Sequence, residues 1–329
     1  MSNYILILLC LVCNSFAIYD LNNSQALFDD FVIKYNKVYA TDEERAAKYE
    51  IFRNNLVVIN EKNSKTTNAL YDINRLSDLN KNELLRSTGF SVNLKKNLNP
   101  SKECEYVLVA DAPSRSLPAS FDWRANNAVT PVKNQLDCGS CWAFSTIANI
   151  ESLYAIKYGV EVDLAEQYLL NCDYTNNNCN GGLMHWALEN ILINDNGGVV
   201  EERHAPYVGE VTACDKEEYL FTITNCKRFN LVNEHTLQQL LIENGPISVA
   251  IDVFDILDYK QGISDNCRSD NGLNHAVLLV GYGVSINGIP YWVFKNSWGD
   301  DWGEQGFFRV RRDINSCGMM NAYAASAVL

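Results

Sequence analysis

Positive charge is what this sequence is short of: 27 Lys and Arg stand against 40 Asp and Glu, a formal net charge of −13. The deficit is local. Residues 117–329 carry 26 acidic and 13 basic side chains, whereas the first 116 carry 14 of each. An acidic surface repels phosphate backbones and anionic headgroups, which argues against nucleic acid or a membrane surface as partner. It fits work at a pH where many carboxylates are partly protonated, with plain solubility as the alternative reading. Bilayer-spanning apolar runs are lacking too. The opening run Tyr4 to Cys13 is about ten residues, half of what a transmembrane helix needs. Followed by Ser15-Phe16-Ala17, with small residues at −3 and −1 of a cut, it reads as a secretory signal over residues 1–17. Its n-region has no Lys or Arg, so an uncleaved anchor is the other reading. There is no repeat or low-complexity tract, and 329 residues with 47% hydrophobic suffice for two or three cores. Histidine is scarce, with four in the chain.

The stretch Asn134-Gln135-Leu136-Asp137-Cys138-Gly139-Ser140-Cys141-Trp142-Ala143-Phe144 is where chemistry concentrates. Gly139 and Ser140 can make a bend and a cap, and Ile147, Ile150 and Tyr154 follow at helical spacing, which sets Cys141 at a helix N-terminus. Free N–H groups and the positive end of the helix dipole favour a thiolate there. A thiolate nucleophile needs a proton shuttle. His185, His204 and His235 stand in polar or helical contexts, whereas His275 opens the apolar run Ala276 to Val280 and so begins a buried strand. About twenty residues on, Asn296 can orient an imidazole and Trp298 can cover the bond. Cys138-x-x-Cys141 alone also allows a redox pair or half a zinc site. The first lacks the flanking Trp and inner Pro, and the second lacks another well-spaced pair.

These stretches, together with Cys179-Asn180-Gly181-Gly182 and Cys317-Gly318, resemble the papain family of cysteine proteases. The resemblance implies an α+β, two-domain fold: a helical domain and an antiparallel β-barrel-like domain, with the active-site cleft between them. It implies Cys141 as nucleophile, His275 as general acid and base, Asn296 as its orienter and Gln135 as oxyanion-hole donor. It implies a substrate cleft at Gly181, Gly182 and Trp298, and a pocket for the second residue before the scissile bond formed by Leu183, Met184, Leu273, Ala276 and Ala322. It also implies the disulfides Cys138–Cys179, Cys172–Cys214 and Cys267–Cys317, leaving Cys226 as a free thiol. Leu136, where the family usually has Gly, is the one candidate defect that a catalytically dead binding homologue would need.

Ahead of the peptidase part, Leu27, Phe28, Phe31, Val32 and Tyr35 share a helical face, and Thr41-Asp42-Glu43-Glu44 is a capping box opening a second helix to about Asn63. Glu44, Lys48, Ile51, Phe52, Asn55, Ile59 and Asn63 along it resemble the signature of cathepsin L-type propeptides, with Lys48 in place of Arg. Residues 71–78 resemble the companion motif, with Asp72 for Gly and Leu76 for Phe. Residues 18–116 are thus expected to be an inhibitory propeptide and 117–329 the mature domain, after a Pro- and Ser-bearing linker at 97–116. Asp163 to Glu166 reads as the cap of a short helix, residues 182–194 as another, and Glu234 to Asn244 as a third, stopped by Gly245-Pro246. Strands are expected at 247–251, 276–283, 291–295 and 307–310. No inserted loop blocks the cleft, so the expected activity is endopeptidase, on protein and peptide substrates, by a monomer with no cofactor or metal. The implied location is the secretory pathway, then a lysosome-like compartment or the exterior. Residues 273–318, Cys104 and Asn274 are similar to the viral cathepsins of insect baculoviruses; an ordinary invertebrate lysosomal or digestive cathepsin is the alternative.

Overall fold

The computed structural model describes residues 18–89, 103–108, 117–215, 218–321 and 324–329. The expected signal at 1–17, most of the expected linker and Ala322 lie outside the described residues. The amino-terminal segment consists of α1 (Ser24–Lys34), α2 (Asp42–Lys65), strand β1 (Ala69–Tyr71) and α3 (Lys81–Ser87). Phe28 and Phe31 of α1 meet Phe52 and Leu56 of α2 in a small core of their own, the Phe28 and Phe52 rings 5.3 Å apart. Each side chain so removed from water stabilises by about 1.5–3 kcal/mol, which holds the two helices as a hairpin.

The signature residues of α2 have visible work. Thr41 Oγ1 accepts from the Glu44 N–H at 3.1 Å, as a capping box requires, but Glu44 returns its bond to the Ala40 N–H at 2.6 Å rather than to Thr41. Lys48 pairs with Glu83 of α3 at 2.6 Å. Asn55 donates to the Ser77 carbonyl at 2.9 Å, and Asn63 exchanges two hydrogen bonds with the Tyr71 backbone. Lysine thus serves where arginine is usual, because one donor suffices for one carboxylate oxygen.

The chain continues with β2 (Glu105–Leu108), β3 (Phe121–Asp122), α4 (Cys141–Tyr158), α5 (Glu166–Cys172), α6 (Met184–Asn194), β4 (Gly198–Val199), β5 (Phe221–Thr222) and β6 (Asn225–Asn230). Then come α7 (Glu234–Asn244), β7 (Ile247–Ile251), β8 (Tyr259–Gly262), β9 (His275–Val284), β10 (Pro290–Lys295), β11 (Phe307–Arg311) and β12 (Ala324–Val328). Among the described residues the main sheet runs β11-β10-β9-β7-β12-β6-β2, with β3 on β9. All its pairs are antiparallel except β2 beside β6. β9 is buried along nearly its whole length because α4 lies against it: Ser145 Oγ donates to the Val277 carbonyl, and Ser248 Oγ of β7 donates to the Ser145 carbonyl. The helical half α4–α6 and the β-rich half each have their own core.

Two expectations need correction. Asp163 does not cap α5, whose N-cap is Ala165 with no side-chain bond; Lys133 instead draws Asp163 to 2.8 Å and buried Glu166 to 3.2 Å. Cys226 is not a free thiol. Cys138–Cys179, Cys172–Cys214 and Cys267–Cys317 form as expected, and a fourth disulfide joins Cys226 to Cys104. The parallel register of β2 on β6 sets Glu105 opposite Lys227, and the two cysteine Cα atoms lie 4.7 Å apart, within disulfide reach. Cys141 is the one free cysteine among the described residues.

Candidate active site

The bend before α4 depends on Gly139. Its N–H donates to the Cys179 carbonyl at 3.0 Å, and a Cβ there would lie 2.4 Å from that oxygen and 2.9 Å from the Thr88 carbonyl. Ser140 caps α4 with its backbone, its carbonyl accepting from Ala143 and Phe144, while its hydroxyl bonds the Tyr207 hydroxyl at 2.7 Å. Cys141 therefore starts the helix, fully buried. Leu136 adopts the left-handed φ of 54° that glycine favours, at a cost of about 1–2 kcal/mol. The turn placing Gln135 survives the substitution.

His275 is the first residue of β9, and the Ala276 N–H beside it donates to Cys141 Sγ at 3.2 Å. The imidazole Nε2 lies 2.8 Å from Asn296 Oδ1. That same oxygen accepts the Ser297 N–H at 2.8 Å, which fixes the amide orientation, so Nε2 carries the proton and Nδ1 the lone pair. Nδ1 has no hydrogen-bond partner among the described residues. Trp298 packs at a tilt against the imidazole, 4.8 Å between ring centroids, and is backed edge-on by Trp302. Asn274 ties the approach to β9 by donating to Asp252 Oδ1 and accepting the Val253 N–H.

Gln135 is buried beside this group; its Nε2 donates to the Cys138 carbonyl at 2.9 Å and its Oε1 accepts from Ser297 Oγ at 2.6 Å. Leu183, Met184 and Ala276 share a core cluster with Cys141, with Leu273 packed on its edge. Gly182 lies so close to the Trp142 ring that a Cβ would come within 2.6 Å.

Over all this lies the chain's own Thr88-Gly89. The Gly89 N–H donates to Cys141 Sγ at 3.2 Å, and its carbonyl accepts from the Gly182 N–H at 2.6 Å. Covered in this way, the thiol is not the low-pKa group expected at a helix start. Burial pushes Cys141 up to about 12, against the opposing pull of the Ala276, Gly89, Trp142 and Cys141 N–H groups. Burial likewise holds His275 down to about 4, against the Asn296 bond. Burial thus favours the neutral form of both the thiol and the imidazole in the covered state.

Reasoning from sequence missed the charged layer beneath. Lys295, buried next to Asn296, donates to Thr130 Oγ1 at 2.8 Å, and Thr130 in turn donates to Glu151. Lys133 bridges Glu151 at 2.9 Å and Glu166 at 3.2 Å. Burial pushes the Glu166 carboxyl up, and the Lys133 ammonium pulls it back down. The available signal was Lys295 ending an otherwise apolar strand.

Family comparisons agree with this architecture. Residues 117–327 match the papain family cysteine protease model, and residues 28–84 match the cathepsin propeptide inhibitor domain. The chain is 57% identical to the viral cathepsin of Cydia pomonella granulosis virus, over 99% of this chain and 98% of that one. It is 47% identical to the viral cathepsin of Spodoptera litura multicapsid nucleopolyhedrovirus, over 97% and 95%. Digestive procathepsin L 3 of Tenebrio molitor larval midgut superposes with a TM-score of 0.80 at 33% identity, covering 93% of this chain and 99% of that one. With an inhibitor domain laid across the cleft of a peptidase domain, the chain belongs to the papain family of cysteine proteases, as a precursor of cathepsin L type.

Proposed function

We propose that Cys141 is the nucleophile of an endopeptidase released from this precursor by proteolytic cleavage that separates the inhibitory segment within residues 18–116 from the peptidase domain, after a signal at 1–17 has directed it into the secretory pathway. When the Thr88-Gly89 stretch leaves, water returns to the cleft, the desolvation that keeps both groups neutral is relieved, and the thiol proton passes to His275 Nδ1. The thiolate adds to the scissile carbonyl. Gln135 Nε2 and the Cys141 N–H stabilise the oxyanion, and His275 returns the proton to the leaving amine. Water then hydrolyses the thioester with His275 as base. Asn296 keeps the proton on Nε2 throughout. The single observation that carries this reading is the His275–Asn296 pair, which leaves Nδ1 basic beside the strand residue that touches Cys141 Sγ.

Leu183, Met184, Leu273 and Ala276 offer the second substrate residue before the cut an apolar pocket, so Leu, Phe or Val is preferred there over Arg. The 57% likeness to a viral cathepsin, against 33% to a digestive procathepsin, favours a lysosome-like enzyme that degrades tissue of an infected insect host. Hydrolysis of a Phe-Arg fluorogenic amide by acid-treated wild type and Cys141→Ala proteins tests the chemistry. The variant should fold and be inert; measurable turnover by it would reject Cys141 as nucleophile.

A further inference from the structure

Cys104 and Cys226 stand on opposite sides of the expected cut. Cys104 falls between the inhibitor-domain match at 28–84 and the peptidase match at 117–327, and Cys226 lies inside the latter; their sulfurs are bonded across 122 residues. The surroundings of the bond are built rather than incidental. β2 is the edge strand of the main sheet, with Glu105 to Leu108 in register with Lys227 to Asn230. The Cys104 N–H donates to Oε1 of buried Glu189 at 3.0 Å, Val107 packs on the β-side core, and the Arg228 guanidinium lies 5.2 Å from the Tyr106 ring. Both cysteines are buried.

We propose that the active enzyme is a two-chain molecule, in which a short segment containing Cys104 to Leu108 stays bonded to Cys226 and paired with β6. The inference rests on the processing proposed above. Hydrolysis of one peptide bond between Leu108 and Leu117 consumes one water and creates the new N-terminus, but everything before the cut remains attached through sulfur. The inhibitory Gly89 is then tethered through a short stretch of chain, at an effective concentration in the millimolar range, and still covers Cys141. A second hydrolysis, between Gly89 and Cys104, frees α1 to α3. That second cut is the activating step, and neither cut oxidises or reduces a sulfur. The retained strand keeps the β6 edge paired, which an exposed edge would otherwise offer to other chains.

The test uses the full-length Cys141→Ala precursor, cut at acid pH without reductant by a trace of active enzyme and weighed intact before and after phosphine reduction. The expected product carries a Cys104 fragment that reduction releases. A parallel Cys104→Ser precursor should give one product mass that reduction changes only by the hydrogens added to its remaining disulfides, with no fragment released, and in an otherwise wild-type chain it should become active after the first cut alone. Should that variant misfold, the parent's two masses decide by themselves. A product cut on both sides of Cys104 yet lacking the fragment before reduction would overturn the tether. A precursor whose mass never changes would overturn the processing reading, and the two-chain enzyme with it.

Discussion

The amide nitrogen of Gly89 stands 3.2 Å from Sγ of Cys141. A peptide laid in that position blocks the approach of any substrate carbonyl and dries the sulfur, so one contact both occludes the nucleophile and keeps it protonated. The fit tolerates no side chain, because a Cβ on Gly89 would lie 1.9 Å from the Gly139 carbonyl oxygen and 2.8 Å from its Cα.

Gly89→Ala should therefore weaken the amino-terminal segment as an inhibitor. Added in trans to processed enzyme at neutral pH, the variant segment should show an inhibition constant at least tenfold higher, equivalent to about 1.4 kcal/mol. An unchanged constant would mean that the contact at Cys141 contributes nothing to inhibition.

Asn296→Ala should lower kcat about 10²-fold while KM changes little, because losing Oδ1 frees the His275 proton to sit on either nitrogen. The pH–rate profile should shift with it, which a purely structural defect would not produce. Full activity would show that Trp298 packing alone orients the ring.

The pH dependence of stability should differ in sign between the two parts of the chain. Burial raises Asp173 to about 6 from 3.8, against hydrogen bonds from Thr175 and Asn176. A carboxyl with a raised folded-state pKa makes the fold more stable as pH falls from about 6 to 3.8, by something on the order of 2–3 kcal/mol. In the amino-terminal segment, burial pushes Glu83 up, but the Lys48 and Asn80 bonds outweigh it and hold the carboxyl below its ordinary 4.5. That support is present above 4.5 and fades as pH falls further, so acid loosens α2 from α3 while steadying the peptidase. Urea midpoints of active-site-blocked processed enzyme should be higher at pH 4.5 than at pH 7, and Asp173→Asn should flatten the difference; the same slope in the variant would remove Asp173 as the cause.

Substrate choice follows from the pocket. A guanidinium buried among Leu183, Met184, Leu273 and Ala276 finds no carboxylate among them, so a Phe-Arg amide should exceed an Arg-Arg amide in kcat/KM by one to two orders of magnitude, about 1.4–2.8 kcal/mol. Equal rates would require an acid at the pocket floor.

Local signals carried much of the fold. α7 ends at Asn244 because Gly245-Pro246 cannot continue a helix, and β9 begins at His275 because the apolar run begins there. Cys141, His275 and Asn296 were legible as a group through motif, and the structure brings them together. The Cys104–Cys226 bond was not, since no local pattern in either stretch announces a parallel pairing across 122 residues. Lys133, Glu151 and Glu166 were hidden for a different reason: isolated charges in a sequence read as surface, and only the fold shows that they neutralise one another inside. The neutral state of Cys141 needed the position of Gly89, which the helix-start argument does not contain.

The central claim is that the chain carries a cysteine nucleophile which its own amino-terminal segment holds covered and protonated. The rate of Cys141 alkylation by iodoacetamide, located by peptide mass and followed from pH 4.5 to 8 in precursor and processed enzyme, tests it most directly. Burial keeps the thiol protonated in the covered state, so little thiolate is present at pH 7. The account predicts that the precursor reacts at least about a hundredfold more slowly than processed enzyme, whose rate should persist well below pH 7 as a thiolate–imidazolium pair requires. Equal rates in the two forms, or a processed enzyme whose rate rises only above pH 8 like an ordinary thiol, would contradict it.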